Sequence, residues 1–98
     1  MNETELQKLC VEYLTRSGWF AFIVNQPNRI SRGKKGIPDL WAGKNGRSMW
    51  IECKLEKGKL SKEQIDFRDK CEEKGLEWHL ARSLDDVMMI VARKEQGK

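Results

Sequence analysis

Length, composition and charge place this chain among small globular domains. Its 98 residues suffice for one hydrophobic core, and 39% hydrophobic with 35% charged residues is typical of a folded unit rather than a disordered segment. No apolar run approaches the roughly 20 residues that cross a membrane, and the N-terminus MNETELQKL lacks the basic-then-apolar order of a signal peptide, so we expect a cytoplasmic protein without a membrane partner.

The first predicted element is a helix that starts with a capping box at Thr4 and Gln7 and stops at Ser17-Gly18. Its apolar positions recur at helical spacing: Leu6, Leu9, Cys10, Tyr13 and Leu14. The aromatic and β-branched residues 19–24, WFAFIV, then predict a buried strand.

A glycine-bearing basic loop follows this strand. It carries Arg29, Arg32, Lys34 and Lys35. Such a cluster is either a solvated charged surface or a patch that binds phosphates.

A hairpin is predicted next, because Asn45-Gly46 is typical of a two-residue type I′ turn. With those loop residues, Trp41 pairs with Trp50, and Asp39 pairs with Glu52. Alternation of side chains then puts one set on a core face: Leu40, Ala42, Met49, Ile51 and Cys53. The opposite face carries Asp39, Trp41, Trp50, Glu52 and Lys54.

The two opposed carboxylates are the candidate chemical centre. At directly paired positions their Cβ atoms lie about 4.5–5.5 Å apart, so the charges repel unless a cation lies between them. Mg²⁺ takes oxygen ligands, often from one or two carboxylates plus substrate phosphate, and the backbone carbonyl of Cys53 is a further candidate ligand. Lys54, on the same face, would lie near an attacking water or a developing charge on phosphorus. The alternative is a structural ion cluster in which Lys54 neutralises the acids.

The remaining elements follow in order. Ser61 and Gln64 predict a capping box for a helix over residues 62–74 that Gly75 ends. Residues 76–81 predict a strand, Ser83 caps a last helix, and residues 94–98 form a charged tail. The order helix, strand, hairpin, helix, strand, helix predicts an α/β fold with a mixed sheet.

Cysteine, histidine and tryptophan residues draw further predictions. The three cysteines have no C-x-x-C spacing, so buried reduced thiols are expected rather than a disulfide framework or zinc site. We assign no role to His79. Four tryptophans exceed what one thin core readily buries, so Trp41 and Trp50 are interpreted as interface residues of a homodimer rather than as base-stacking platforms.

The pattern Pro38-Asp39, then Glu52-Cys53-Lys54, resembles the PD-(D/E)xK nuclease superfamily. Four segments, GIPDL, IECKL, GKLSKEQ and ARSLDDV, more closely resemble the VRR-NUC nuclease family, specifically its small stand-alone phage and bacterial members. The resemblance covers about residues 3–92 of a single domain, with a charged tail over 93–98. It implies a restriction-endonuclease-like αβββαβ core, a C-terminal helix, and the cytoplasm of a bacterium or phage-infected host cell.

The resemblance also implies roles for individual residues. Asp39 and Glu52 would hold Mg²⁺ or Mn²⁺, Lys54 would assist the attacking water, and Gln64 would be a fourth catalytic residue, although its position fits a helix cap equally well. An acidic residue of the first helix would reach the metal through water. The candidates are Glu3, Glu5 and Glu12, of which Glu5 is preferred, and Gln7 stands where related resolvases carry glutamate.

The predicted function is a metal-dependent, structure-selective DNA endonuclease that resolves four-way (Holliday) junctions as a homodimer. Arg29, Arg32, Lys34 and Lys35 would bind DNA phosphates without base preference. Two alternatives stay open: a non-catalytic DNA-binding module, and an interaction subunit of a larger nucleic-acid-processing assembly.

Overall fold

The part of the chain that the structure describes forms three helices and four strands, in the predicted order. The computed structural model describes residues 1–24 and 35–96, with backbone only for residues 94–96. The elements are α1 (Glu3–Arg16), β1 (Phe20–Ile23), β2 (Leu40–Lys44), β3 (Arg47–Cys53), α2 (Lys62–Lys74), β4 (Glu77–Ala81) and α3 (Leu84–Gln96). Within these ranges no helix has the length and apolar character needed to cross a membrane.

The strands form one mixed sheet in the order β1-β2-β3-β4, antiparallel except for the parallel pair β3 and β4. Asn45 and Gly46 have φ of 51° and 83°, as a type I′ turn requires. This turn sets the predicted register, in which Trp41 faces Trp50 and Lys44 faces Arg47. The hairpin prediction is confirmed.

The core lies between the sheet and the pair α1 and α3. The predicted core face of the hairpin is buried, with Leu40, Ala42, Met49, Ile51 and Cys53 each at most 1% exposed. They pack with Leu6, Cys10 and Leu14 of α1 and with Val87 and Ile90 of α3. All three cysteines are buried and free, as predicted.

Helix α2 lies against the opposite face of the sheet. Its Phe67 ring makes an edge contact with Trp50, with centroids 5.4 Å apart. The helix begins with the predicted capping box, in which the Gln64 N–H donates to Ser61 Oγ, and it ends at Gly75 in the left-handed conformation. The predicted bounds of this helix are confirmed.

Helix α1 begins two residues earlier than predicted. Asn2, not Thr4, is the N-cap: Asn2 Oδ1 accepts from the Glu5 N–H at 2.8 Å, and Glu5 Oε1 accepts from the Asn2 N–H at 2.9 Å. Asparagine caps helices as well as serine and threonine do, so Asn2-x-x-Glu5 competes with Thr4-x-x-Gln7 and extends the helix further. The Thr4 and Gln7 prediction was wrong.

Two other segments also differ from expectation. Strand β1 is not fully buried but forms one edge of the sheet, and Phe20 and Phe22 on its outer face are 68% and 41% exposed. The alternate residues Ala21 and Ile23 pack against the core. At the other end of the chain, α3 continues to Gln96, so most of the predicted charged tail is helical.

Candidate active site

Asp39 lies immediately before β2, where backbone groups from both neighbouring strands hold it. Its Oδ2 accepts a hydrogen bond from the Cys53 N–H at 3.0 Å. Its backbone carbonyl accepts from the Val24 N–H at 2.7 Å. The side chain is therefore attached to β3 one residue from Glu52, as the hairpin register predicts.

Glu52 is a buried acid, with only 2% of its surface exposed. Its Oε2 accepts from Gln64 Nε2 at 3.1 Å and lies 4.0 Å from Lys54 Nζ. Its Oε1 is buried and, among the described residues, has no hydrogen-bond partner. Burying a carboxylate oxygen without a hydrogen-bond partner raises the free energy of the folded state, so this position favours a cation bound to Glu52 Oε1.

Burial and mutual repulsion dominate the electrostatics of the two acids. Burial, with the Asp39 charge acting in the same direction, raises the pKa of Glu52 to about 8, and the Lys54 ammonium opposes that shift. Burial also raises the pKa of Asp39, against the effect of the hydrogen bond from Cys53. Both shifts mean that the surroundings do not compensate the ionised forms of the two acids, and a bound cation would supply that compensation.

The donor set fits a hard divalent cation that keeps part of its shell for water and substrate. In the described ranges, no group of three or more histidine, cysteine or acidic side chains could hold a metal by themselves. Two adjacent carboxylates, one with an unpaired buried oxygen, suit Mg²⁺ or Mn²⁺, which need only one or two protein carboxylates beside phosphate oxygens. The Cys53 backbone carbonyl lies next to Glu52, and its role as a ligand stays a prediction.

Lys54 is held at the end of β3. Its backbone N–H donates to the Ala81 carbonyl at 3.1 Å, and its side chain is 15% exposed. The ammonium is therefore next to Glu52 yet still reaches solvent. A single lysine beside two acids can orient water or stabilise charge developing on a phosphate.

Gln64 caps helix α2 and also hydrogen-bonds Glu52. Its Oε1 accepts from the Ser61 N–H at 2.8 Å, which completes the helix cap. Its Nε2 donates to Glu52 Oε2 at 3.1 Å. The amide thus connects the start of α2 to the candidate metal ligand.

Of the acidic residues of α1, Glu3 rather than Glu5 acts electrostatically on the two acids. Glu5 is engaged in the helix cap with Asn2, a placement that argues against its predicted metal role. The charge of Glu3 raises the pKa of both Asp39 and Glu52. Glu3 precedes buried Leu6 by three residues, so helical periodicity alone indicates that it shares the inward side of α1.

Most of the predicted DNA-binding loop, including Arg29, Arg32 and Lys34, lies outside the described residues. Lys35 is exposed and is followed by Gly36, which packs closely on the first turn of α2. A Cβ at Gly36 would lie 2.2 Å from the Glu63 carbonyl oxygen. This contact brings the end of the basic loop to the same helix end that carries Gln64.

The aromatic residues of the site face divide into two groups. Trp50 is half-buried and packs against Phe67 of α2. Trp41 packs against Phe20 and Phe22 of β1, with ring centroids 5.8 and 5.7 Å away. Because both phenylalanines are exposed, we refer to Phe20, Phe22 and Trp41 as the aromatic patch.

His79, to which we assigned no role, hydrogen-bonds Glu77 Oε2 at 2.9 Å. Glu77 in turn receives two hydrogen bonds from the Arg47 guanidinium, at 2.7 and 2.8 Å. These residues form a structural network away from the acids.

Solved structures share this fold. A structure described as a VRR-NUC domain matches with a TM-score of 0.74 at 21% identity, covering 92% of this chain and 94% of its own. A second, described as a VRR-NUC domain protein, matches with a TM-score of 0.77 at 18% identity, covering 95% and 87%. Archaeoglobus fulgidus Hjc, described as a Holliday junction resolvase from an archaeal hyperthermophile, matches with a TM-score of 0.56 at 23% identity, covering 82% and 70%.

Sequence comparison assigns the family. A search of curated protein sequences found no significant match. The VRR-NUC domain family matches residues 1–85, which include Asp39, Glu52, Lys54 and Gln64. The chain therefore belongs to the VRR-NUC family of nucleases.

Proposed function

We propose that this protein is a divalent-metal-dependent DNA endonuclease whose centre is Asp39, Glu52 and Lys54. The observation that carries the proposal is the buried carboxylate of Glu52, which has one oxygen without a partner among the described residues and a second acid and a lysine beside it. A purely structural ion cluster would pair that oxygen or leave it in water.

Each residue has a distinct task in phosphodiester hydrolysis. Asp39 and Glu52 would hold Mg²⁺ or Mn²⁺, which when bound supplies the charge that polarises the phosphate and lowers the pKa of water. Lys54 Nζ orients or activates the attacking water, from its place 4.0 Å from Glu52. Gln64 keeps Glu52 in one orientation through its Nε2 hydrogen bond.

The preferred substrate is branched DNA, specifically a four-way junction. Support comes from the fold shared with Hjc, which is described as a Holliday junction resolvase. Arg29, Arg32, Lys34 and Lys35 would bind backbone phosphates, and each should add to the salt dependence of binding without base preference.

A homodimer would present two such centres to opposite strands of a junction. The aromatic patch supports this assembly, since Phe20 and Phe22 expose large apolar rings beside Trp41 on the face that carries the acids.

Cleavage of a labelled four-way junction and of its matched linear duplex tests the proposal. The purified protein is assayed with magnesium, manganese or EDTA, beside the variants Glu52→Gln and Glu56→Gln. Glu56 is exposed and four residues along the chain, so its variant controls for loss of one acid. We expect metal-dependent cleavage of the junction by wild type and Glu56→Gln, and none by Glu52→Gln.

Other outcomes favour the alternatives. Tight junction binding with no cleavage in either metal would indicate a non-catalytic DNA-binding module. Neither binding nor cleavage at moderate salt would indicate an interaction subunit of a larger assembly.

A further inference from the structure

Arg82, the residue that follows β4, holds the turn after Lys54. Its Nη1 lies within hydrogen-bond distance of three backbone carbonyl oxygens: 2.7 Å from Leu55, 3.1 Å from Glu56 and 2.8 Å from Gly58. One Nη1 group has two N–H bonds, so the three carbonyls share them. Charged donors make the stronger hydrogen bonds in proteins. Here the Arg82 guanidinium contacts three of the four residues of the turn, Leu55 to Gly58, through their carbonyl oxygens.

The backbone of Arg82 is fixed by a hydrogen bond to helix α3. Its backbone N–H donates to Asp86 Oδ2 at 2.8 Å in the first turn of α3. The preceding residue, buried Ala81, accepts the Lys54 N–H. The same end of β4 therefore anchors both the backbone of Lys54 and the turn after it.

The turn lies directly against the Lys54 side chain. It is closed by a hydrogen bond from the Gly58 N–H to the Leu55 carbonyl at 2.9 Å. A Cβ at Gly58 would lie 3.3 Å from Lys54 Cδ and 3.5 Å from Lys54 Cβ. The turn thus limits where the aliphatic chain of Lys54 can go, and with it the ammonium next to Glu52.

We propose that Arg82 is a positioning residue of this nuclease, which acts through the Leu55–Gly58 turn to hold the Lys54 ammonium at the acids. The role rests on the proposed function, in which Lys54 acts on the attacking water. The contacts that carry this role are made by Arg82 Nη1 to backbone carbonyls of the turn and not to a catalytic side chain or to substrate. Removal of Arg82 should therefore lower the rate of the chemical step and leave DNA affinity unchanged.

The test compares Arg82→Gln and Arg82→Lys with Arg68→Gln as control. Arg68 lies on α2 and pairs only with its neighbour Asp69 among the described residues, so its variant removes the same charge without touching the turn. The rate of junction cleavage at saturating protein and magnesium is measured, together with the Kd for the junction in EDTA. The hydrogen-exchange rates of the backbone amides of residues 55–58 report directly how stable the turn is.

For Arg82→Gln we expect a rate loss of about 10- to 100-fold, the range that small misplacements of catalytic groups produce. The Kd should stay within about twofold, because phosphate contacts are unchanged, and exchange of the turn amides should speed up. Arg82→Lys should recover part of the rate, since an ammonium keeps charged donors for the carbonyls. Arg68→Gln should match wild type in all three measurements.

A second variant covers the case in which Arg82→Gln does not fold. Gly58→Val adds a branched side chain where the turn faces Lys54, while Arg82 stays in place. It should lower the rate at unchanged Kd as well.

A wild-type rate in Arg82→Gln, or a rate loss fully explained by weaker DNA binding, would overturn the positioning role while the nuclease assignment stands. Wild-type protein that cuts no DNA would overturn the proposed function first, and the role with it.

Discussion

At the scale of single residues, Glu52 is the position where folding and chemistry conflict. It is an acid at 2% exposure whose pKa burial raises to about 8, and only one of its oxygens is paired among the described residues. Stability alone would favour a neutral side chain there. Such a conflict is typical of a residue kept for a ligand.

Glu52→Gln should therefore separate stability from metal binding. Without metal, the variant should be more stable by about 1 kcal/mol, which raises the unfolding temperature by roughly 4–8 °C for a domain of this size. Burial raises the pKa of Glu52 to about 8, so at neutral pH folding requires this acid to take up a proton that it does not bind when unfolded, and glutamine avoids that cost. Magnesium at 100 times its Kd should stabilise wild type by about 2.7 kcal/mol and leave the variant unchanged. Thermal unfolding with and without magnesium measures both, with exposed Glu56→Gln as control. A variant stabilised by magnesium as much as wild type would remove Glu52 from the metal site.

Glu77 is the opposite case, an acid stabilised in its charged form. The hydrogen bonds from Arg47 lower its pKa to about 2, against the effect of partial burial, and His79 adds to the lowering. A lowered folded-state pKa contributes stability that is present above the ordinary value near 4.5 and is lost as the pH falls towards 2.

The difference in unfolding free energy between wild type and Glu77→Gln should thus be largest at neutral pH and shrink between about pH 5 and pH 2. Urea unfolding across this pH range checks the trend. Glu73→Gln, which removes an exposed pair with Lys70, should show a small difference at every pH. A difference for Glu77→Gln that is constant with pH would mean that its ion pair adds nothing to stability.

At the scale of elements, the approach of Gly36 to α2 determines how the segment leading into β2 meets the start of that helix. Gly36 has φ of 80° and packs where no Cβ fits, against the Glu63 carbonyl. Asp39 follows three residues later, and Gln64 follows Glu63. The geometry between Asp39, the proposed metal ligand, and the Gln64 amide therefore depends on a glycine that packs on the backbone of Glu63 and Gln64.

Gly36→Ala tests this dependence against Gly46→Ala. Gly46 also has positive φ, 83°, but a Cβ there meets nothing within 4 Å. Gly46→Ala should cost only the left-handed backbone penalty of about 1–2 kcal/mol. Gly36→Ala should cost about 1–3 kcal/mol more through steric overlap and should also weaken magnesium binding. Urea unfolding and calorimetry measure the two effects, and equal results for both variants would argue against the contact with α2.

At the scale of the whole molecule, the aromatic patch is the surface on which we expect two copies of the protein to associate. A chain of this size buries a limited share of its apolar surface, and here three aromatic rings remain together on one face. Exposed patches of this kind mark interaction surfaces. In the proposed homodimer, Phe20 and Phe22 would be its centre.

Light scattering of the double variant Phe20→Ser, Phe22→Ser checks this assignment. We expect wild type to have the mass of a dimer and the double variant that of a folded monomer. Leu76→Ser, which removes an equally exposed apolar residue after α2, should remain dimeric. A dimer in both variants would place the interface elsewhere, and a monomeric wild type would exclude the homodimer.

The parts of the structure that were predictable from sequence depend on neighbours in the chain. The Asn45-Gly46 turn determines the hairpin register, and hence the pairing that brings Asp39 beside Glu52, because turn geometry leaves one way to pair the strands. The Ser61 and Gln64 cap and Gly75 bound α2 for the same local reason.

Only the tertiary structure decided which charged groups meet and how far they are buried. Glu52 is buried under α2, and Gln64 reaches it while capping the helix. Arg82 reaches the turn after Lys54 from more than twenty residues away. Sequence pattern reports local geometry, whereas burial and charge coupling depend on the packing of segments distant in the chain, which local propensity does not determine.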